Sequence, residues 1–320
     1  MRSEEERDLF VRMLDEEEAE EVSVTRVYER QHCRIYYLAN GQVAKVVKGS
    51  GTGSAVPRSM RERVSAWLAR SLMAWTRLTS HIHPGLMRVF DLVQDNEGNH
   101  GYACEKLDAI ELEDPAHPAR TSLRAFLEAS INVARAAGVL HRGGIVHGDV
   151  TPMNVCWRDG LPVLIDLEMA KGYQDQTLEV DDSLDRIEAT PACCSPEQVL
   201  QVAITPASDV FCLALTMLSW ATGIFGVSRA YWGQTEKQSF ELCEHAEYPH
   251  WELVRARVLE PSVLCVLERA LALVPCDRYA NGDEFAQALE DLLASLPPEA
   301  LAQSLNVSLD ELEEGSEMTG

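Results

Sequence analysis

The sequence predicts an α+β protein with two lobes, a small β-rich lobe followed by a larger and mostly helical one. Runs of β-branched and aromatic residues dominate the first hundred residues, as is typical of half-buried strands. From Thr121 onward the apolar residues recur at helical spacing instead. Between these halves, residues 107–118 are rich in Asp, Glu and Pro, which favours a boundary near this segment.

The first half is expected to form strands on both sides of one helix. Asn40-Gly41 is a strong hairpin signal between two of the strands. Apolar residues over 58–79 fall on one side of a helix. The predicted strands are residues 22–28, 34–38, 42–48, 86–93 and 100–105.

The second half is expected to consist of amphipathic helices around one fully buried helix. Residues 210–222 are nearly all apolar, which predicts burial on every side. The other predicted helices are 122–138, opened by a Ser cap, 261–273 and 283–293. The domain prediction is an acidic N-terminal segment 1–21, a small lobe 22–107, a large lobe 108–295 and an acidic tail 296–320.

Composition and charge exclude several classes of function. The 46% hydrophobic and 25% charged residues are ordinary for a soluble globular protein, and no apolar run approaches the roughly 20 residues of a membrane span. The net charge of −23 argues against nucleic acid as a partner and weakly favours a basic protein partner. We expect a cytoplasmic protein with reduced thiols, and the alternative of a secreted effector acting in a host cytosol stays open. The acidic ends are expected to be a solvated helix and a disordered tail.

A group of polar residues in the second half carries the predicted chemistry. His147, Asp149 and Asn154 follow a helix within one short loop, and Asp166 ends an apolar run twelve residues after Asn154. An Asp and an Asn held on neighbouring strands supply the few hard oxygen ligands that a Mg²⁺–triphosphate needs. Asp149 would then orient an attacking hydroxyl.

This spacing resembles the catalytic loop and the metal motif of protein kinases, H-R-D-L-x-x-x-N and D-F-G. The resemblance extends over residues 22–293 and implies ATP and Mg²⁺ (or Mn²⁺) as cofactors. It implies Asp149 as the catalytic base, Asp166 as the main metal ligand and Asn154 as a second ligand. Thr151 stands where serine/threonine kinases carry a lysine directed at the transferred phosphoryl group, and its hydroxyl can hydrogen-bond phosphate.

Later segments narrow the resemblance to bacterial-type serine/threonine protein kinases. Residues 190–198 resemble the end of an activation segment, with Ser-Pro-Glu in the A-P-E place. Asp209 opens the buried helix as the family's structural Asp does, and Arg278 resembles the late arginine that pairs with Glu197. Choline and aminoglycoside kinases share the His147-Gly-Asp149 motif but lack such an activation segment. A protein substrate phosphorylated on Ser or Thr is therefore implied.

The same resemblance assigns the nucleotide-binding residues of the small lobe. Lys45 is the expected phosphate-binding lysine, since it shares a strand face with Val43, and Lys48 is the alternative. Cys104 corresponds to the gatekeeper. The backbone of Glu105 and Leu107 corresponds to the hinge that binds adenine, and the ring would lie between Val43 and Cys156.

Departures from the family motif keep other functions open. There is no glycine-rich loop between residues 22 and 38, and no glutamate at the expected place on the small-lobe helix. Gly148 replaces the arginine before the catalytic Asp, and Glu168 replaces the glycine of D-F-G. The leading prediction is an active, divergent protein kinase. A pseudokinase that binds nucleotide or docks a partner, and a small-molecule phosphotransferase, are the alternatives, and the oligomeric state is undetermined.

Overall fold

The computed structural model describes eight stretches of the chain. They are residues 10–13, 21–30, 33–48, 83–114, 116–173, 193–200, 202–223 and 260–305. The chain divides between Leu107 and Asp108 into two compact units, which are described separately as the small and the large lobe.

The small lobe is a closed barrel of six antiparallel strands. The strands are β1 (Phe10–Met13), β2 (Glu21–Glu29), β3 (Cys33–Leu38), β4 (Val43–Val47), β5 (Val89–Asp95) and β6 (His100–Cys104), and they follow the order β1-β2-β3-β4-β6-β5 around the barrel. Alternate residues point inward, as the two-residue period of a strand requires. The interior is formed by Val11, Met13, Val22, Tyr36, Leu38, Ala44, Val46, Val93 and Ala103.

Strand β1 corrects the prediction for the N-terminal segment. Residues 1–21 were expected to be a solvated acidic helix outside the small lobe, and this prediction is wrong for Phe10–Met13, which pairs with both β2 and β5. Val11 and Met13 are 0% and 5% exposed, so this short apolar stretch completes the barrel between acidic flanks. The helix predicted over residues 58–79 lies outside the described residues.

The large lobe is built around helices α1 (Leu123–Arg142) and α3 (Pro206–Thr222). The Ser122 hydroxyl caps α1 by accepting a hydrogen bond from the Ala125 N–H at 3.1 Å. Every residue of α3 is buried, which confirms the prediction from its apolar sequence. None of the described helices has both the length and the apolar character needed to cross a membrane. The other α-helices in the described part of the chain are α2 (Pro196–Val199), α4 (Pro261–Ala270), α5 (Gly282–Ser295) and α6 (Pro298–Leu301).

The large lobe also extends beyond the predicted boundary at residue 295. In the segment expected to be a disordered tail, Leu301 and Leu305 are 4% and 1% exposed. The backbone continues onto the start of α1, because the Leu123 N–H donates to the Gln303 carbonyl at 2.7 Å. The predicted boundary is wrong because residues 296–305 contain a single acid, Glu299, beside the two buried leucines, whereas the acidic run begins only at Asp310. Residues 306–320 lie outside the described part of the chain.

Candidate active site

A short loop between strands β7 (Ile145–Val146) and β8 (Val155–Arg158) carries the predicted catalytic residues. His147 is the first residue of this loop and is 0% exposed. Its Nδ1 accepts a hydrogen bond from the Asp149 N–H at 3.3 Å, and its Nε2 lies 3.0 Å from the Ile165 carbonyl oxygen. The tautomer with its proton on Nε2 satisfies both contacts. His147 thus connects the backbone of Asp149 to the residue that precedes Asp166.

Asn154 holds the carboxylate of Asp149. Its Nδ2 donates to the backbone oxygen and to the Oδ2 of Asp149, both at 2.8 Å. Its backbone oxygen accepts the Ile165 N–H at 2.9 Å, which brings the two predicted metal-binding positions onto adjacent chain segments. Because the amide nitrogen serves Asp149, the amide oxygen of Asn154 is the atom suited to a metal.

Thr151 shapes the turn between these two residues. It is 1% exposed, and its hydroxyl oxygen accepts a hydrogen bond from the Asn154 N–H at 3.3 Å. This hydroxyl caps the 3-10 turn Pro152–Asn154. A capping role for Thr151 therefore stands beside the predicted contact with phosphate, which remains untested.

Asp166 has an unusual backbone conformation at the end of strand β9 (Leu161–Leu164). Its φ of 66° lies in the left-handed region, and it opens the 3-10 turn Leu167–Met169. This conformation costs a non-glycine residue about 1 kcal/mol and is tolerated best by Asn and Asp. Such strain concentrates at functional sites, as expected for a residue whose carboxylate has to be directed away from its own strand.

The structure explains why glycine precedes Asp149. Gly148 has a φ of +78°, and a Cβ atom there would lie 2.7 Å from the Met169 carbonyl oxygen. Any side chain would therefore be strained and would also collide with the turn that follows Asp166. The arginine of the family motif is incompatible with this close approach of the two loops.

Asp209, at the start of α3, holds the backbone of the catalytic loop through hydrogen bonds. Its carboxylate accepts hydrogen bonds from the N–H groups of His147 and Gly148 at 2.7 and 2.9 Å, and it lies 2.9 Å from His141 Nε2. Burial alone would raise the pKa of Asp209, but the hydrogen bond from His141 and the contacts with His147 and Gly148 outweigh it, so the pKa is lowered. The predicted role of Asp209 as a structural acid is confirmed by these contacts.

A buried ion pair anchors the segment that enters α2. Arg278 NH2 and NH1 donate to the two carboxylate oxygens of Glu197 at 2.8 and 3.0 Å. This bidentate geometry confirms the predicted Glu197–Arg278 pair. The neighbouring Ser195 and Gln198 form a capping box at the start of the helix.

Two buried thiols lie in the same segment, next to the catalytic loop. Burial raises the pKa of Cys193 and of Cys194 to about 12. The nearby Cys194 and Asp149 add to the rise for Cys193, and Asp149 adds to the rise for Cys194. Both side chains are therefore protonated thiols near neutral pH. The cysteines within the described residues are free, as expected from their spacing.

In the small lobe, the strand register places three predicted nucleotide-binding residues on one face. Val43 pairs directly with Cys104, and Lys45 pairs with Tyr102 two positions along. Ala44 and Val46, which alternate with them, point into the barrel. Val43, Lys45 and Cys104 therefore share the outer face of the barrel.

The alternative lysine has another role in this lobe. Lys48 Nζ donates to the Arg30 carbonyl at 2.6 Å and forms an ion pair with Glu29. The hydrogen bond from Lys48 is the largest cause that lowers the pKa of Glu29. This pairing engages Lys48 with the β2–β3 hairpin, and Lys45 stays the predicted phosphate-binding lysine.

Glu105, the first residue of the predicted hinge, is held by two hydrogen bonds with the backbone of Arg88. The Glu105 N–H donates to the Arg88 carbonyl at 3.1 Å, and Glu105 Oε1 accepts the Arg88 N–H at 2.7 Å. Leu107 follows, half-buried, as the last residue of its unit. Cys156 lies in the large lobe on β8, where burial raises its pKa to about 11 with a smaller contribution from Asp108. Val43 and Cys156 belong to different units, so their joint contact with adenine stays a prediction.

The predicted metal ligands, Asp166 and Asn154, suit a metal ion that is bound together with a phosphate group. Within the described ranges, no cluster of three or more His, Cys, Asp or Glu side chains could hold a metal ion by itself. Asp166 and Asn154 supply one carboxylate and one amide oxygen. Mg²⁺ binds through one or two carboxylates together with substrate phosphates and water, so these residues fit it.

Two supporting residues were missed by the sequence reasoning. His141 Nδ1 accepts the Gly282 N–H at 3.0 Å while its Nε2 faces Asp209, so it connects α1, α3 and α5. Gln198 donates to the Gly148 carbonyl. The sequence signal for His141 was a polar residue after an apolar run, and Gln198 closes the segment 190–198 noted above; neither signal specifies a partner far along the chain.

The fold and this loop define a protein kinase, and the chain belongs to the protein kinase domain family, whose model matches residues 39–294. It is 28% identical over 265 residues to the DNA damage-responsive serine/threonine-protein kinase RqkA of Deinococcus radiodurans, covering 82% of this chain and 37% of that protein. It is 25% identical over 252 residues to the serine/threonine-protein kinase PknD of Chlamydia trachomatis, covering 68% of this chain and 26% of PknD. The chain thus spans well under half the length of these curated relatives.

Solved structures agree with the fold. The PknI kinase domain of M. tuberculosis matches with a TM-score of 0.59 at 22% identity, covering 86% of this chain and 96% of that domain. The kinase PK-1 of the Cydia pomonella granulovirus also has a TM-score of 0.59, at 15% identity and covering 83% of this chain and 93% of PK-1. The predicted two-lobed fold and the resemblance to bacterial serine/threonine kinases are confirmed.

Proposed function

We propose that this protein is an active kinase that transfers the γ-phosphoryl group of ATP to Ser or Thr hydroxyls of a protein substrate. The observation that carries the proposal is the contact of Asn154 with Asp149. The side-chain amide of Asn154 holds the proposed base at 2.8 Å, and the backbone oxygen of Asn154 accepts the N–H of Ile165, the residue before Asp166, at 2.9 Å. The base and both metal-binding positions therefore belong to one hydrogen-bonded unit.

The large-lobe residues have distinct roles in this reaction. Asp149 orients the substrate hydroxyl and accepts its proton as the oxygen–phosphorus bond forms and ADP leaves. Asp166 and the amide oxygen of Asn154 would hold Mg²⁺, which neutralises charge on the phosphate oxygens when it is bound. His147 and Thr151 fix the conformation of the loop that carries Asp149. The first role assigned to Thr151 is to cap the turn Pro152–Asn154, and contact with phosphate is its second role.

The small-lobe residues bind the nucleotide in this proposal. Lys45 would contact the phosphates as a point charge. The apolar side chains of Val43 and Cys104, together with Cys156 of the large lobe, would contact the adenine ring. The backbone of Glu105 and Leu107 would hydrogen-bond its edge. A basic protein substrate is favoured by the net charge of −23.

The experiment that tests the proposal is phosphate transfer from γ-labelled ATP to generic protein and peptide substrates. In Asp149→Asn, which retains the side-chain volume, transfer should fall by at least about 10²-fold, since general-base catalysis contributes this much. Glu97→Gln, on the exposed edge of the barrel, is the matched control and should transfer normally. Persistence of transfer in Asp149→Asn, with its melting temperature unchanged, would sink the assignment of the base.

A nucleotide-binding scaffold is the second candidate, and one observation favours it. The β2–β3 hairpin contains no glycine, and a hairpin sequence without glycine is poorly suited to directing its backbone N–H groups at phosphates as a glycine-rich loop does. For a scaffold, ATP with Mg²⁺ would raise the melting temperature while no substrate acquired label. A small-molecule phosphotransferase would label a small acceptor and no protein.

A further inference from the structure

The peptide bond that joins Gly148 to Asp149 is held at both of its polar atoms. The Asp149 N–H donates to His147 Nδ1 at 3.3 Å. On the other side, the Gly148 carbonyl accepts a hydrogen bond from Gln198 Nε2 at 2.5 Å. The orientation of the peptide that leads into Asp149 therefore depends on side chains from two separate segments.

Gln198 is placed for this contact by its own neighbours. It is 5% exposed. Its Oε1 accepts the Ser195 N–H at 2.9 Å and the Cys212 thiol at 3.3 Å, which leaves the amide nitrogen directed at Gly148. The side chain thus uses an acceptor and a donor at once, which the amide of glutamine provides at every pH.

Glycine makes such a restraint necessary. Gly148 has a φ of +78°, and a glycine populates both signs of φ with little energetic difference. Rotation of the following peptide would turn the Asp149 N–H away from His147 and move the Asp149 carboxylate with it. Asp209 holds the N–H groups of His147 and Gly148, at 2.7 and 2.9 Å, and both precede the peptide that follows Gly148, so Asp209 does not by itself prevent this rotation.

We propose that Gln198 is a positioning residue for Asp149, acting through the carbonyl of Gly148. The role rests on the proposed function, in which Asp149 is the base. Gln198 does not touch substrate or nucleotide in this proposal. It keeps a glycine-flanked catalytic loop in the one orientation that directs the Asp149 carboxylate at a hydroxyl.

The first test compares the kinetics of Gln198→Met with those of the wild-type protein. Methionine has a similar volume but cannot donate to Gly148. Because a misplacement of about 1 Å can cost about 10²-fold in rate, kcat should fall about 10- to 100-fold while KM for ATP changes little. Ser195→Ala is the matched control: it removes the helix cap at 3.4 Å from the Gln198 N–H and leaves the Gly148 contact, so kcat should be retained.

Gln198→Glu supplies a readout that a merely structural role would not change. A neutral glutamic acid can donate to the Gly148 carbonyl, whereas a glutamate cannot, and burial raises the pKa of such a group. The ratio of variant to wild-type activity should therefore rise several-fold from about pH 8 to about pH 6. The charged and titratable side chains around this contact are present in both proteins, so the comparison with the wild-type protein reports the effect of the introduced carboxyl; they are Asp149, Glu197, Asp209, Cys193, Cys194 and Cys212 with His141 and His147.

Hydrogen exchange of the catalytic loop separates this inference from the proposed function. In Gln198→Met, the amides of residues 147–149 should exchange faster than in the wild-type protein or in Ser195→Ala, whether or not the protein transfers phosphate. Faster exchange in a protein without transfer would support the positioning contact and refute the kinase activity. Unchanged exchange, or an unchanged pH profile in Gln198→Glu, would overturn the role of Gln198.

Discussion

At the scale of single residues, Arg278 shows how completely a buried charge is satisfied in this protein. Its side chain is 0% exposed, and its guanidinium donates to both oxygens of Glu197. Its remaining N–H groups donate to the backbone oxygens of Ala207, Ala272 and Leu273. Since removal of water from a charge is costly, this full set of partners is what makes the pair stable.

Loss of one member of this pair should destabilise the protein strongly. Arg278→Met leaves the Glu197 carboxylate buried without its charge partner, so the free energy of unfolding should fall by about 3–5 kcal/mol. Denaturant unfolding measures the change. The double variant Glu197→Gln/Arg278→Met removes both charges and should recover part of the loss. If Arg278→Met lost less unfolding free energy than the double variant, the buried charge of Glu197 would not need its partner, and this explanation would be wrong.

Asp209 should make stability depend on pH. Its pKa lies below the ordinary value of 3.8, so the folded protein binds fewer protons at this carboxyl than the unfolded chain does. The stabilisation is complete above that ordinary value and is lost as the pH falls through the lowered pKa. The difference in unfolding free energy between wild-type and Asp209→Asn should therefore shrink as the pH falls below about 4. A difference that stays constant or grows on acidification would argue against this sign.

The sequence could predict those residues of the site whose spacing is local. His147, Asp149, Asn154 and Asp166 lie within twenty residues of one another, so their order alone indicates their proximity. Gln198 and His141 depend on contacts with Gly148 and Gly282 that no local pattern specifies. The requirement for glycine at position 148 also became clear only from the approach of Met169.

At the scale of secondary-structure elements, helices α1 and α5 approach each other closely at two glycines. A Cβ atom at Gly282 would lie 2.4 Å from the Ala134 carbonyl oxygen, which is backbone. A Cβ atom at Gly138 would instead lie 2.6 Å from the Asp283 carboxylate, which is a side chain, and 3.0 Å from the Asp283 backbone nitrogen. A side chain at Gly282 thus meets backbone at 2.4 Å, whereas at Gly138 the closest atom belongs to a side chain that can move and the backbone lies at 3.0 Å.

The two glycines should respond differently to alanine. Gly282→Ala has to separate two backbones, and overpacking of this kind costs about 1–3 kcal/mol. Gly138→Ala displaces Asp283 from its ion pairs with Arg135 and Arg142 but gains helix propensity of about 1 kcal/mol, so its net cost should be smaller. Thermal unfolding of the two variants gives the comparison. An equal or larger loss for Gly138→Ala would contradict this view of the helix contact.

Most elements were predictable from their sequence periodicity, and the exceptions have physical reasons. The strand predicted at 42–48 is observed at Val43–Val47, and the helix predicted at 122–138 continues to Arg142. β1 was missed because four residues between acidic flanks carry too little periodicity. Its strand conformation comes from pairing with β2 and β5, which is a tertiary effect.

At the scale of the whole molecule, charge is the property most relevant to partners. The chain has 51 acidic and 28 basic residues, with a net charge of −23. A field of one sign attracts oppositely charged molecules and accelerates their encounter. Salt screens this attraction over about 10 Å at 0.1 M ionic strength, so the contribution of the net charge can be measured separately from that of the site.

Selectivity for basic substrates should therefore depend on ionic strength. For a lysine-rich peptide, kcat/KM should fall several-fold between about 0.05 and about 0.5 M salt, whereas a neutral peptide with the same acceptor should change little. Peptide phosphorylation at each salt concentration measures both. Parallel curves for the two peptides would show that the net charge has no role in substrate choice.

A few hydrogen bonds of the large lobe join residues that are far apart in the sequence, and this separation affects how the protein folds during its synthesis. Glu197 and Arg278 are 81 residues apart, and His141 and Gly282 are 141 residues apart. On a ribosome, the catalytic loop is therefore synthesised long before the residues that complete its support. Contacts of such long range form late and slow the folding of a domain. Until residues 278–282 emerge, Glu197 lacks Arg278 and His141 lacks the Gly282 N–H, and the nascent large lobe should depend on chaperones that shield partly folded chains.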